Sequence, residues 1–183
     1  MKILMISVLA LSALLQPPQA AAAEATPDWT LLSADKEFVR LSDELERQPV
    51  VLFFWATWCP YCKALMPHLQ SIRLEYGDNV EILAINFRDD KDPVAFMQST
   101  GYDFTLLLDG DKVAELYKVW GTPGVIVIDR NQRIRFDLRD VPNIELPESV
   151  NGNKHSSKAA YIAPYWAAQI RKSLDDILAE QSR

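Results

Sequence analysis

Residues 50–56, "VVLFFWA", are continuously apolar and rich in β-branched and aromatic side chains. Such a run without polar alternation predicts a strand buried on both faces. From Cys59 the period changes: Leu65, Leu69, Ile72 and Tyr76 recur at spacings of four, three and four. That spacing predicts a helix beginning near Cys59 and stopping at Gly77, interrupted by Pro67, which is expected to kink it. "VEILAINF", residues 80–87, reads as a second buried strand. "DPVAFMQSTG", residues 92–101, reads as a helix with Asp92 as N-cap, Pro93 in the first turn and Gly101 as its stop. A short strand at "FTLLLD" and a short helix at "DKVAELYKVWG" follow.

"TPGVIVIDRNQRIRFDL" predicts a hairpin, with strands at 125–129 and 133–138 around a turn at 130–132. Residues 139–160 are polar and rich in Pro, Asn and Ser, without periodicity; they read as an irregular insert, either partner-recognising or simply flexible. An amphipathic helix is expected over 164–182, marked by Trp166, Ile170, Leu174, Ile177 and Leu178. Upstream, "WTLLSADKEFVRLSDEL" reads as a small hairpin leading into a turn of helix. The order predicts an α/β fold with a mixed sheet, parallel where helices intervene and antiparallel at the hairpin.

The first 23 residues stand apart. Lys2, an apolar run from Ile3 to Leu15, the Pro17-Pro18 pair and Ala21-Ala22-Ala23 have the order of an export signal. The expectation is a cleaved signal peptide over 1–23 and one domain over 24–183, placed in the periplasm. An uncleaved membrane anchor is the alternative, although the run is shorter than the roughly 20 residues a spanning helix needs. No cysteine flanks the expected cleavage site, which argues against a lipoprotein. Without Lys2 the chain carries 18 basic and 25 acidic residues, a net of −7. With no basic stripe, nucleic acid is not an expected partner.

Composition matters most through the cysteines. The chain has two, Cys59 and Cys62, in "WATWCPYCKALMPHL". A metal clip needs further ligands, and only His68 and His155 are on offer. A structural staple closing so short a loop removes little entropy from the unfolded chain. A redox pair fits the strand-to-helix junction best. There the free N–H groups and the helix dipole favour thiolate over thiol. Cys59, earlier in the helix and expected to be the more exposed, reads as the attacking thiol, and Cys62 as the resolving one. No cofactor is expected.

The second chemical element is "GTPG", residues 121–124. Its strand is expected to run opposite to the two before it, which places Thr122 and Pro123 on the same sheet edge as Cys59. A cis Thr122-Pro123 bond there would offer backbone groups to an extended substrate. "NFRDD" is expected at that edge too, with Asp89 or Asp90 as proton acceptor for Cys62 and Arg88 as a group that steadies a thiolate. Trp120 is expected either at the rim of the thiols or in the core.

Together "FFWATWCPYCK", Pro67 and "VWGTPGVIVID" resemble the thioredoxin fold, and in particular the exported TlpA/DsbE-like thioredoxins of cytochrome c biogenesis. "LLSADKEFVRLSDEL" is similar to the hairpin that family adds before its core. The resemblance implies a mixed sheet flanked by helices with an N-terminal hairpin extension. It implies an exported protein thiol–disulfide oxidoreductase, usually reductive, with Trp58, Pro60, Tyr61, Thr122 and Pro123 around the thiols. Its partners would be exported proteins with thiols or disulfides, apocytochrome c or copper-site proteins among them, and a membrane-embedded thiol reductant. Net oxidation or isomerisation with the same cysteines is the alternative. Two positions depart from the pattern: Phe53 stands where thioredoxins commonly have a buried aspartate, and Leu65 where TlpA-like proteins commonly have a glutamate. An apolar floor of this kind is expected to slow the activation of Cys62. Cys-Pro-Tyr-Cys also occurs in glutaredoxins, but no glutathione-binding pattern accompanies it here. The T-x-x-C of peroxiredoxins is unmatched, since Thr57 lies two residues before Cys59.

Overall fold

The computed structural model describes residues 26–151 and 154–182; the expected export signal lies outside them. A hairpin of β1 (Thr30–Leu32) and β2 (Phe38–Arg40) runs straight into α1 (Leu41–Arg47). The central sheet holds β3 (Val50–Trp55), β4 (Glu81–Asn86), β5 (Thr105–Leu107), β6 (Gly124–Ile128) and β7 (Ile134–Asp137), in the order β5-β4-β3-β6-β7. Strands β3, β4 and β5 are parallel, while β6 is antiparallel to β3 and β7 to β6. The connecting helices are α2 (Pro60–Tyr76), α3 (Pro93–Thr100) and α4 (Asp111–Leu116).

The apolar run of β3 splits between two cores because successive side chains point to opposite faces. Val51, Phe53 and Trp55 join Leu65, Leu69 and Ile72 of α2 on one face. Val50, Leu52 and Phe54 join Leu41, Leu45, Val113 and Ala114 on the other, under α1 and α4. Every residue of β3 is buried. The hairpin extends the sheet past β5: Ala34 N–H donates to the Leu106 carbonyl at 2.9 Å, and Leu108 N–H to that of Leu32 at 3.1 Å. An edge that would otherwise expose unpaired backbone is thereby covered.

The mixed sheet, its flanking helices and the hairpin are as the sequence predicts. The carboxy-terminal helix differs. A short helix, α5 (Glu148–Asn151), lies within the insert, and the last helix, α6, spans His155–Gln181 rather than starting near Pro164. Its buried stripe is Ala159, Ala163, Ala167, Ile170, Leu174 and Ile177. The first members are alanines, so the stripe's small end carries little hydrophobic signal and only its large end is legible in the sequence. Pro164 sits inside the helix on its exposed side, where the bond it cannot donate to the carbonyl four residues earlier is left to solvent. Across the α2–α6 contact the Tyr76 hydroxyl donates to Asp175 at 2.7 Å, and burial and that carboxylate both hold the phenol protonated.

Candidate active site around Cys59 and Cys62

The carboxyl ends of β3 and β4 and the amino end of β6 lie on one edge, as the pairings Trp55↔Asn86 and Phe54↔Gly124 require. The three loops leaving that edge carry Cys59 and Cys62, Arg88 to Asp90, and Thr122-Pro123. Sheet topology alone therefore assembles the residues that the sequence singled out. The Thr122-Pro123 peptide bond is cis.

Cys59 is the N-cap of α2 and Pro60 opens the helix. A proline there costs nothing, since a first-turn N–H has no helical partner. The two cysteines are joined in a disulfide with Cα atoms 5.3 Å apart. The backbone N–H of Cys62 donates to Cys59 Sγ at 3.0 Å. A helix N-terminal donor is thus already aimed at the sulfur that would carry negative charge once the bond is broken. One expectation is corrected here: Cys59 is no more open than its partner, at 1 % exposure against 0 % for Cys62. Helix position alone does not report that this cysteine packs into the core. What separates the two sulfurs is their place in the helix.

Beneath them the floor is apolar. Phe53 and Leu65 are fully buried in the same cluster as both cysteines. No carboxylate occupies either position.

The β4–α3 loop supplies charge at the side. Asp89 accepts from four donors: Thr57 N–H at 2.5 Å, the Thr57 hydroxyl at 2.7 Å, Asn86 Nδ2 at 2.9 Å and Lys91 N–H at 3.2 Å. Burial pushes its carboxyl up, but the bonds from Thr57, Asn86 and Lys91 outweigh that and hold it below the ordinary aspartate range. A carboxylate so engaged is a weak proton acceptor, and its visible work is to fix the Thr57 turn that leads into Cys59. Asp90 is exposed. The Arg88 guanidinium donates to the Trp120 carbonyl at 3.0 Å. Trp120 itself is exposed and not in the core.

Asp89→Asn is expected to cost about 2 kcal/mol of stability at neutral pH, because an amide nitrogen would face two of those donors. The sign of its pH dependence follows from the lowered pKa. The wild-type advantage is present above the unfolded aspartate value of about 3.9 and is lost as pH falls through the folded value. Urea melts of both proteins at about pH 7 and about pH 3 check this. An equal gap at both would show that charge plays no part.

Other residues take places the sequence did not assign. His155, expected in a loop, opens α6 with its ring 6.2 Å from that of Tyr61, and Trp166 lies 6.0 Å from Tyr61 on the same helix. Tyr61, one of the two residues between the cysteines, is therefore walled by the last helix. A pairing across so many residues leaves no local trace in the sequence. Thr57 gave a weak signal, a hydroxyl two residues before the first cysteine. The Thr122 hydroxyl is buried without a hydrogen-bond partner.

Comparison with known proteins places this geometry. The AhpC/TSA family model matches residues 22–137. The chain is 39 % identical to the thiol-disulfide oxidoreductase ResA of Oceanobacillus iheyensis, over 61 % of each chain. It is 30 % identical to the thiol:disulfide interchange protein DsbE of Escherichia coli K12, over 60 % of each. It thus spans about three fifths of the length of these relatives. A crystal structure of a DsbE-type thiol:disulfide interchange protein from Chlorobium tepidum superposes with a TM-score of 0.57 at 30 % identity, covering 62 % of this chain and 81 % of that one.

Proposed function

This chain belongs to the AhpC/TSA family and has its thioredoxin-like fold, and from that membership we propose that it is a thiol–disulfide oxidoreductase working through Cys59 and Cys62. The observation that carries the reading is the disulfide at the N-cap of α2, with the Cys62 N–H directed at Cys59 Sγ. In the reducing direction the Cys59 thiolate attacks a substrate disulfide, forming a mixed disulfide and releasing one substrate thiolate. Cys62 then attacks Cys59 Sγ, closing the internal disulfide and releasing the second substrate thiolate. Two electrons pass to the substrate, and the internal disulfide must be reduced again by an external dithiol.

The substrates we propose are disulfides of exported proteins, apocytochrome c or copper-site proteins among them, met in the periplasm. The external dithiol is a membrane-embedded thiol reductant. Two features support this. The relatives are named for thiol–disulfide exchange, and the first 23 residues read as an export signal. Among the described residues no helix is long and apolar enough to cross a membrane. A peroxidase reading gains nothing from Thr57, whose hydroxyl is given to Asp89.

The deciding measurement is the reduction potential of the Cys59/Cys62 couple, equilibrated in dithiothreitol buffers. A reductant is expected to lie near thioredoxin's value of about −270 mV. A value near about −120 mV, that of a strong oxidant, would reverse the proposed direction. Each 30 mV is about 1.4 kcal/mol, so the two outcomes are far apart.

A further inference from the structure

The last helix reaches the dipeptide between the cysteines. Tyr61 stands between Pro60 and Cys62 in the first turn of α2. Its half-buried ring meets two rings of α6: Trp166, with centroids 6.0 Å apart and planes at 41°, and His155, at 6.2 Å and 68°. Those two residues are eleven apart, about three helical turns, and so share one face of α6. His155 belongs to that face because the helix begins well ahead of Pro164.

Beyond this contact α6 is firmly held. Ala167, Ile170, Leu174 and Ile177 lie in the core, the Tyr76 hydroxyl donates to Asp175 at 2.7 Å, and Arg171 Nε donates to Glu75 at 2.7 Å. Towards the cysteines the link is covalent. The Cys62 N–H that donates to Cys59 Sγ at 3.0 Å belongs to the peptide plane joining Tyr61 to Cys62. The N–H of Cys59 itself is taken by the Ala56 carbonyl at 3.1 Å, and Pro60 has none. With its ring held by two neighbours, the Tyr61 backbone is hindered from swinging that plane away from the sulfur.

We propose that Trp166 and His155 are positioning residues: by clamping the Tyr61 ring they hold the Cys62 N–H on Cys59 Sγ and keep the attacking sulfur ready to carry charge. This role presupposes the oxidoreductase reading above. It needs a ring at each position and not the imidazole's charge, so phenylalanine should serve at either.

The test is the pH profile of Cys59 alkylation by iodoacetamide in the fully reduced protein, followed by mass spectrometry. In Trp166→Ala the midpoint is expected about half a unit above wild type, with roughly threefold less thiolate at a fixed pH below it. His155 is exposed, so His155→Ala does not threaten folding, and it is expected to shift the midpoint the same way. Trp166→Phe and His155→Phe are expected to stay near wild type. Adding Trp166→Ala to Tyr61→Ala should shift nothing further. An unchanged midpoint in an alanine variant overturns the role of that residue. A shift in His155→Phe as large as in His155→Ala overturns ring packing there in favour of charge. Additive shifts in the double variant overturn the route through Tyr61. Insulin reduction under dithiothreitol turnover is measured alongside. If wild type does not accelerate it, the oxidoreductase reading fails, while the alkylation profile still decides whether α6 sets the charge on Cys59.

Discussion

On the proposed oxidoreductase reading, a Cys62→Ser variant is expected to stop halfway through the exchange and remain joined to its substrate through Cys59. The structure supplies the reasons. Cys59 is the helix N-cap and receives the Cys62 N–H, so its sulfur is the one prepared to carry charge and attack. Cys62 lies one turn into α2 with no exposed surface, placed to meet Cys59 Sγ and little else. With serine at 62 the first exchange proceeds, but no second sulfur is available to break the mixed disulfide. Turnover is expected to fall about 1,000-fold or more. Non-reducing electrophoresis of extracts should show adducts that vanish on reduction, and mass spectrometry of them names the substrates. Cys59→Ser is expected to lose turnover equally and to form none. Adducts on Cys59→Ser and not on Cys62→Ser would exchange the two roles.

How much of this could be read from the residues depends on how local each cause is. The strands of the sheet were legible because a run such as "VVLFFWA" is apolar for a reason that acts along the chain itself, burial on both faces. Placing Thr122-Pro123 beside Cys59 needed one further step, the opposite direction of β6, and the Phe54↔Gly124 pairing bears it out. The start of α6 was not legible, since Ala159 and Ala163 continue its buried stripe with side chains too small to mark a period. The packing of His155 and Trp166 on Tyr61 is long-range, and neither partner looks unusual in its own segment. The aspartates of "NFRDD" were placed on the correct edge, but their chemistry depends on donors from other segments. Thr57 and Asn86 make Asp89 a brace for the cysteine loop. The burial of Cys59 is not legible for the same reason, because its cover comes from neighbours in space.

Putting the missing carboxylate into the floor, as Leu65→Glu, is expected to make the protein less stable and its second exchange step faster. Leu65 is fully buried in the cluster that also holds both cysteines, Phe53 and Trp55. Removing that side chain forfeits about 2 kcal/mol of apolar burial. A carboxyl without a partner there costs about as much again even when protonated, for a total of about 4 kcal/mol in urea melts. Burial also raises the folded pKa of the new glutamate above its unfolded value. The sign follows: the variant is least damaged below the unfolded value of about 4.3 and loses further stability as pH rises through the folded one. The deficit should therefore be larger at about pH 8 than at about pH 5, and a deficit independent of pH would mean that the group reaches water. Kinetically, the same carboxylate is a base beside Cys62, able to take its proton as the mixed disulfide resolves. Stopped-flow measurement of mixed-disulfide decay at neutral pH is expected to show faster resolution in Leu65→Glu than in wild type. An unchanged rate would show that deprotonation of Cys62 does not limit the step. The apolar floor of Phe53 and Leu65 would then serve packing alone, with the stability lost in the variant as the measure of that packing.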